Sequence, residues 1–318
     1  MIHRIGYACL NQTLSNKKFS VNRGMVRKTF LEKGTEYASE LIAQNLEDLS
    51  KVITWNHRHH IRFYRLSSDM FPWMSEYEIE ALPQFNKIHT QLKNIGRLAA
   101  EYDQRLTYHP GPFNVLASEN EHVVNKTIKE LNQHSQIMDL MELSQTPFNK
   151  INIHIGTTLQ GEKQKALDNF CRNFERLSAG TQSRLTVEND DKGSMFHTGD
   201  LYAGIHKLIG IPLVFDFHHH YCHSGGISEE DAIRTATSTW PAGILPVVHY
   251  SEPKSFTEKK LIRAHADFIE HEIPDYGQDF DVMLEAKQKE CALIRYRQKE
   301  EEGELQETLF NSLPTPFV

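Results

Sequence analysis

The chain has 318 residues, of which 39% are hydrophobic and 24% charged, and it carries a formal charge of −7. With a mean hydropathy of −0.52, this composition excludes a disordered or membrane-spanning protein, and the length accommodates one large domain or two. The acidic balance speaks against a general nucleic-acid binder, which ordinarily presents a basic surface.

Short β-like runs alternate with amphipathic stretches of helical period. A strand is expected near 3–8 and a helix over 35–54, then 61–66 with 84–102, 105–109 with 119–143, and 150–155 with 160–177. The second half repeats the pattern at 184–188 with 199–209, 211–216 with 228–237, 244–249 with 257–271, and 280–285 with 286–300. Ser118 before Glu121 and Ser228 before Asp231 supply capping chemistry at two helix starts. Eight strands strictly alternating with eight helices predict an α/β fold, a single (β/α)8 TIM barrel over 1–297, with a charged C-terminal tail over 298–318. Lys17, Lys18, Arg23, Arg27, Lys28 and Lys33 crowd the stretch before the first helix, which fits either an arm that touches phosphates or a solvated helix start. The scattered Cys9, Cys171, Cys222 and Cys291 contain no CxxC pair, so neither a zinc ribbon nor a disulfide framework is expected. The first residues are too short and interrupted for a signal peptide, and a cytoplasmic location is the expectation.

Six residues that can bind a metal each close a different apolar run: His109, His154, Glu188, Asp216, His249 and Glu285. In a parallel barrel the C-terminal strand ends open onto one mouth, so side chains distant in sequence converge there. Mixed carboxylate and imidazole shells suit divalent ions such as Mn²⁺ or Zn²⁺. Glu188 is the candidate bridge, because its two oxygens can serve two ions. The 18 histidines are about twice the usual share. His219 can reach the mouth as Asp216-x-x-His219, and His265 can face inward from the connection after the seventh strand. His218, His220 and His223 read as a surface cluster, while His57, His59 and His60 precede the second strand and belong on the opposite end. Three bound divalent ions would add roughly six positive charges among the acids, which weakens the charge objection to DNA.

These residues also carry a family resemblance. The chain resembles the UV damage endonucleases, DNA repair enzymes of the endonuclease IV and xylose isomerase-like barrel superfamily, from about residue 3 to 297. The resemblance rests on Ile-Gly-Tyr-Ala-Cys-Leu-Asn-Gln-Thr-Leu at 5–14, Phe-Tyr-Arg-Leu-Ser-Ser-Asp-Met-Phe-Pro at 63–72 and Tyr-His-Pro-Gly at 108–111. It continues in Asn-Ile-His-Ile-Gly at 152–156, Leu-Thr-Val-Glu-Asn-Asp at 185–190, Phe-Asp-Phe-His-His-His at 215–220 and Val-His-Tyr-Ser at 248–251. Arg-Ala-His-Ala-Asp-Phe-Ile at 263–269 and Asp-Val-Met-Leu-Glu-Ala-Lys at 281–287 complete it.

The resemblance implies a three-ion centre, with Mn²⁺ the usual metal and Zn²⁺ or Mg²⁺ as alternatives. His109, His154 and Glu188 would hold the first ion, Glu188, Asp216, His249 and Glu285 the second, and His219 and His265 the third. Glu188, Asp216 and Glu285 would carry the catalysis. The implied reaction is hydrolytic incision of damaged double-stranded DNA 5′ of a UV photoproduct, by a nucleoid-associated monomer with no membrane partner. Tyr7, Asn11, Pro112 and Phe113 fall where the family meets the lesion. Departures lie at Pro112, where relatives carry a glutamine, at Val247, where many carry a lysine, and at Glu76, where a histidine is usual. A sugar or sugar-phosphate isomerase on the same barrel, an abasic-site endonuclease of the endonuclease IV type, and a lesion-binding protein that no longer cuts are the alternatives.

Overall fold

The computed structural model describes residues 1–307, and the last part of the expected tail, 308–318, lies outside the described residues. Eight strands form a closed, all-parallel barrel in the order β1 to β8: β1 (Ile2–Ala8), β2 (Phe63–Leu66), β3 (Arg105–Tyr108), β4 (Ile151–Ile153), β5 (Leu185–Glu188), β6 (Leu213–Asp216), β7 (Val247–Tyr250) and β8 (Phe280–Leu284). Their side chains are buried almost without interruption, because a barrel strand is covered by the lumen on one side and helices on the other. Closure is made where β1 pairs with β8, with Tyr7 opposite Leu284.

Helices surround the barrel, and their apolar faces are spaced as the sequence predicts. The Arg27–Arg58 helix buries Ile42, Leu46, Leu49 and Ile53 at three- and four-residue intervals. It breaks at Gly34, whose φ of 60° and ψ of −155° are open to glycine and strained for other residues. The first turns to Lys33 therefore stand apart from the amphipathic portion, which starts where periodicity places it. His57, His59 and His60 lie at the far end of this helix, remote from the mouth, as expected. The Phe85–Glu101 and Glu121–Leu140 helices approach closely at Gly96, where an added Cβ would sit 1.7 Å from the Met141 carbonyl oxygen. Ser228 caps the Glu229–Ser238 helix by accepting from the Asp231 amide at 3.1 Å. The other expected cap falls two residues later: Asn120, not Ser118, accepts from His122 N at the start of the Glu121–Leu140 helix.

The connection after β7 departs from expectation. No helix forms over 257–271; the chain instead folds back on itself, with Pro253 bridged antiparallel to His265. The buried Glu252 carboxylate accepts from the amides of Glu270 and His271 at 2.8 and 2.9 Å, taking donors that a helix would need. The last helix, Lys289–Glu302, runs into the expected tail, and beyond it Gln306 exchanges backbone hydrogen bonds with Glu270 and Glu272.

The barrel floor, opposite the mouth, is closed by a buried ion pair. Arg105 donates to Asp281 at 2.9 Å and to the carbonyls of Leu245, Phe148 and Pro147, so its guanidinium is satisfied on every side. Among the described residues, no helix is long and apolar enough to cross a membrane.

Candidate metal centre

The strand ends deliver their side chains to one point. His109 and His154 follow β3 and β4 directly, Glu188 and Asp216 are the last residues of β5 and β6, His249 lies in β7, and Glu285 follows β8. Register aligns Asp216 with His249 on neighbouring strands. Glu188 is the hub. Its Oε2 lies 3.1 Å from His109 Nε2, 3.1 Å from His249 Nδ1 and 3.9 Å from His154 Nε2, while Oε1 lies 3.3 Å from His219 Nδ1. Two sets of donors are close enough to share a cation: His109, His154 and Glu188, and Glu188, Asp216 and His249.

The donor chemistry fits a divalent ion. Glu188 Oε1, Asp216 Oδ2 and His249 Nδ1 are buried without a hydrogen-bond partner, a costly arrangement that a cation relieves. The histidine rings are held from behind, as metal ligands usually are. His109 turns Nδ1 to the Pro110 carbonyl at 3.2 Å, His154 turns Nδ1 to Asp190 at 3.2 Å, and His265 turns Nδ1 to Ser251 Oγ at 2.6 Å. Each keeps Nε2 on the cluster side. His219 places Nδ1 2.9 Å from the Asn189 carbonyl.

The outer members are looser. Glu285 is paired with the guanidinium of Arg65, and its Oε1 lies 3.3 Å from His249 Nδ1. His265 reaches Glu285 Oε2 at 4.0 Å, so the structure brings both histidines of the expected third site to the rim of the cluster. His218 and His220 are buried rather than superficial, because the Phe217–Cys222 helix turns them into the protein. His218 contacts Ser251 Oγ and the Ile262 carbonyl, while His223 packs beside His197. They support the site's surroundings.

Burial and charge set the carboxylates apart. Burial alone would raise Glu188, but His249 and His154 outweigh it and hold this carboxyl well below the usual range. Asp216 is pushed up to about 7, first by burial and then by Glu188 and Glu285, with His219 opposing. His154 rises to about 8 because Glu188 and Asp190 overcome its burial. Burial dominates at His249 and lowers it to about 4.

Three supporting residues escaped the sequence reading: Arg65 against Glu285, Asn152 donating to Glu188 Oε2, and Lys150 with Nζ 3.2 Å from His249 Nε2. Lys150, Asn152 and His154 alternate through β4 and the residues on either side of it, and that spacing of two, in an otherwise apolar run, was the available signal. Val247 lies in a buried cluster with Phe63 and Met283; a lysine does stand against the site, but it is Lys150, just before β4. Glu76 is exposed on a short turn.

Phe113 is 89% exposed, with Pro112 and Gly111 exposed beside it, so it is no core aromatic. Tyr7 and Asn11 are buried instead of facing an open surface. Tyr7 donates to Asn56 Oδ1 at 2.7 Å and accepts from Asn11 Nδ2 at 2.9 Å, while Asn11 caps Leu14 N. A cleft of about 430 Å³ opens over the cluster, with Pro112, Lys192 and Arg263 on its walls.

Fold and cluster together define a (β/α)8 barrel with a carboxylate–imidazole centre suited to divalent metals at its mouth. The sequence model of the family described as UV-endonuclease UvdE matches residues 3–310. A UV-damage endonuclease of Schizosaccharomyces pombe is 38% identical over 92% of this chain, which covers 49% of that protein's length. A UV DNA damage endonuclease of Bacillus thuringiensis is 32% identical over 82% of both. The crystal structure of SacUVDE superposes with a TM-score of 0.80 at 30% identity, covering 95% of this chain and 99% of that one. Endonuclease IV from Thermus thermophilus shares the fold, with a TM-score of 0.59 at 12% identity over 94% of this chain and 100% of that one. The chain belongs to the UV-endonuclease UvdE family.

Proposed function

We propose that this protein is a metal-dependent DNA repair endonuclease that cuts the phosphodiester backbone 5′ of UV photoproducts in double-stranded DNA. The observation that carries the reading is the convergence of His109, His154, Glu188, Asp216, His249 and Glu285 around partnerless buried donors, in a chain of this family. His109, His154 and Glu188 would hold one ion, Glu188, Asp216, His249 and Glu285 a second, and His219 with His265 a third, with Mn²⁺ the proposed metal. Ions held there would supply charge neutralisation for the phosphodiester and a water of lowered pKa.

The chain's own residues do the rest. Glu188 would serve two ions with its two oxygens, and the groups behind the histidines hold each imidazole in one orientation. Arg65 keeps Glu285 turned inward. Phe113, apolar and exposed beside the cleft, suits a wedge against the base stack next to a lesion, whose stacking is already weakened. Pro112 supplies stiffness there in place of a hydrogen-bonding side chain. Tyr7 and Asn11 act from beneath, bracing the loop after β1. Four unpaired cysteines fit a reducing compartment that contains DNA.

The test is an end-labelled duplex carrying one cyclobutane dimer, incubated with protein and Mn²⁺ beside undamaged and abasic duplexes. A nick immediately 5′ of the dimer, abolished by chelator and by Glu188→Gln or Asp216→Asn in folded protein, is the expected result. Full activity in either variant would sink the assignment. Cutting confined to the abasic duplex would move it to the endonuclease IV type of reaction.

A further inference from the structure

The connection after β7, where a helix was expected, forms a tongue. At its base, Pro253 bridges His265, and Lys254 N donates to the Ala264 carbonyl at 2.6 Å. The same base carries His265 to within 4.0 Å of Glu285 at the metal centre. The outer part is pinned by Ile262, buried among Tyr221, Cys222 and Phe256, and by His218, which contacts the Ile262 carbonyl at 2.6 Å. Lys254, Lys259, Lys260 and Arg263 are exposed along it, against Glu258 as the one acid of residues 253–263. Of these four cations, only Arg263 has a carboxylate partner among the described residues, Asp191 at 3.8 Å.

Four cations on eleven residues make the tongue locally basic in a chain of net charge −7, as the Lys17–Lys33 segment also is. Their placement is specific: the tongue's root is in the metal centre, and Arg263 with Lys192 lines the cleft above it. We infer that the tongue is a backbone clamp, with Lys259 and Lys260 binding DNA phosphates that flank the incised bond. This rests on the proposed action on DNA and deepens it. Lys260 is five residues from His265, a reach of at most about 18 Å at about 3.6 Å per residue. Strand phosphates recur about every 3.4 Å of duplex axis, so the contacts fall within about five nucleotides of the cut. Such contacts are indifferent to sequence and to damage.

The experiment measures the affinity of the Mn²⁺-loaded full chain for an undamaged fluorescent duplex, by anisotropy, from about 50 to 200 mM NaCl. Each phosphate contact contributes about 0.9 to the slope of log K against log salt. Lys259→Gln with Lys260→Gln should therefore flatten the slope by about 1.8. Arg58→Gln with Arg97→Gln removes the same charge from exposed positions on other elements and should leave the slope unchanged. A slope unaltered by the tongue double variant, or lowered equally by the control pair, overturns the inference. Because the slope is read on undamaged DNA, wild-type protein that binds yet fails to nick a dimer counts against the proposed cleavage and not against the tongue.

Discussion

His220 shows how much of this protein's histidine content serves burial. Its ring packs 5.1 Å from Phe215, and burial, with His197 adding, lowers it from 6.5 to about 4. A base whose folded pKa is depressed binds fewer protons than in the unfolded chain between those two values. Its contribution to stability is full above pH 6.5 and is lost as pH falls towards 4. At pH 4 the loss from this one residue is about 3 kcal/mol. A His220→Gln variant should lose that much less stability than the wild type between pH 6.5 and 4, as read by urea unfolding of metal-free protein. Equal losses would mean that His220 is solvated in the native state.

Among the elements, the tongue is the one that departs from pattern. Leu261, Ile262, Phe268 and Ile269 have the spacing of an amphipathic helix, so periodicity alone points the wrong way. Glu252 decides the outcome, because its carboxylate binds two amides of the returning chain. Glu252→Ala should cost about 3 kcal/mol in urea unfolding, since charged hydrogen bonds are lost and buried donors stay unpaired. It should also weaken the last Mn²⁺ to bind in a calorimetric titration, because His265 stands on the same base. Unchanged metal binding would detach the tongue from the third site. The convergence of the six strand-end side chains was legible in the sequence because each interrupts an apolar run at its end, where a core strand has no use for charge. Arg65, Asn152 and Lys150 were not, since their partners come from other strands and only the closed barrel shows which groups meet. The exposure of Phe113 likewise depends on a loop whose path no periodicity encodes.

At the scale of the whole molecule, metal binding and folding should be linked, since the donor cluster exists only in the closed barrel. A ligand that binds native protein alone stabilises it by about 2.7 kcal/mol per site at one hundred times its dissociation constant. For a chain of this size that corresponds to a rise in melting temperature of about 4 °C for each ion held. Saturating Mn²⁺ should give this rise, and chelation or Glu188→Gln should remove it, by calorimetry. An identical transition with and without chelator would mean that no ion is held.

The proposed donors span residues 109 to 285, and the last strand must pair with the first before the mouth is complete. During synthesis, then, a metal held by these residues would find no complete set of donors until residue 285 has left the ribosome. A product truncated before residue 285 would lack part of the proposed donor set.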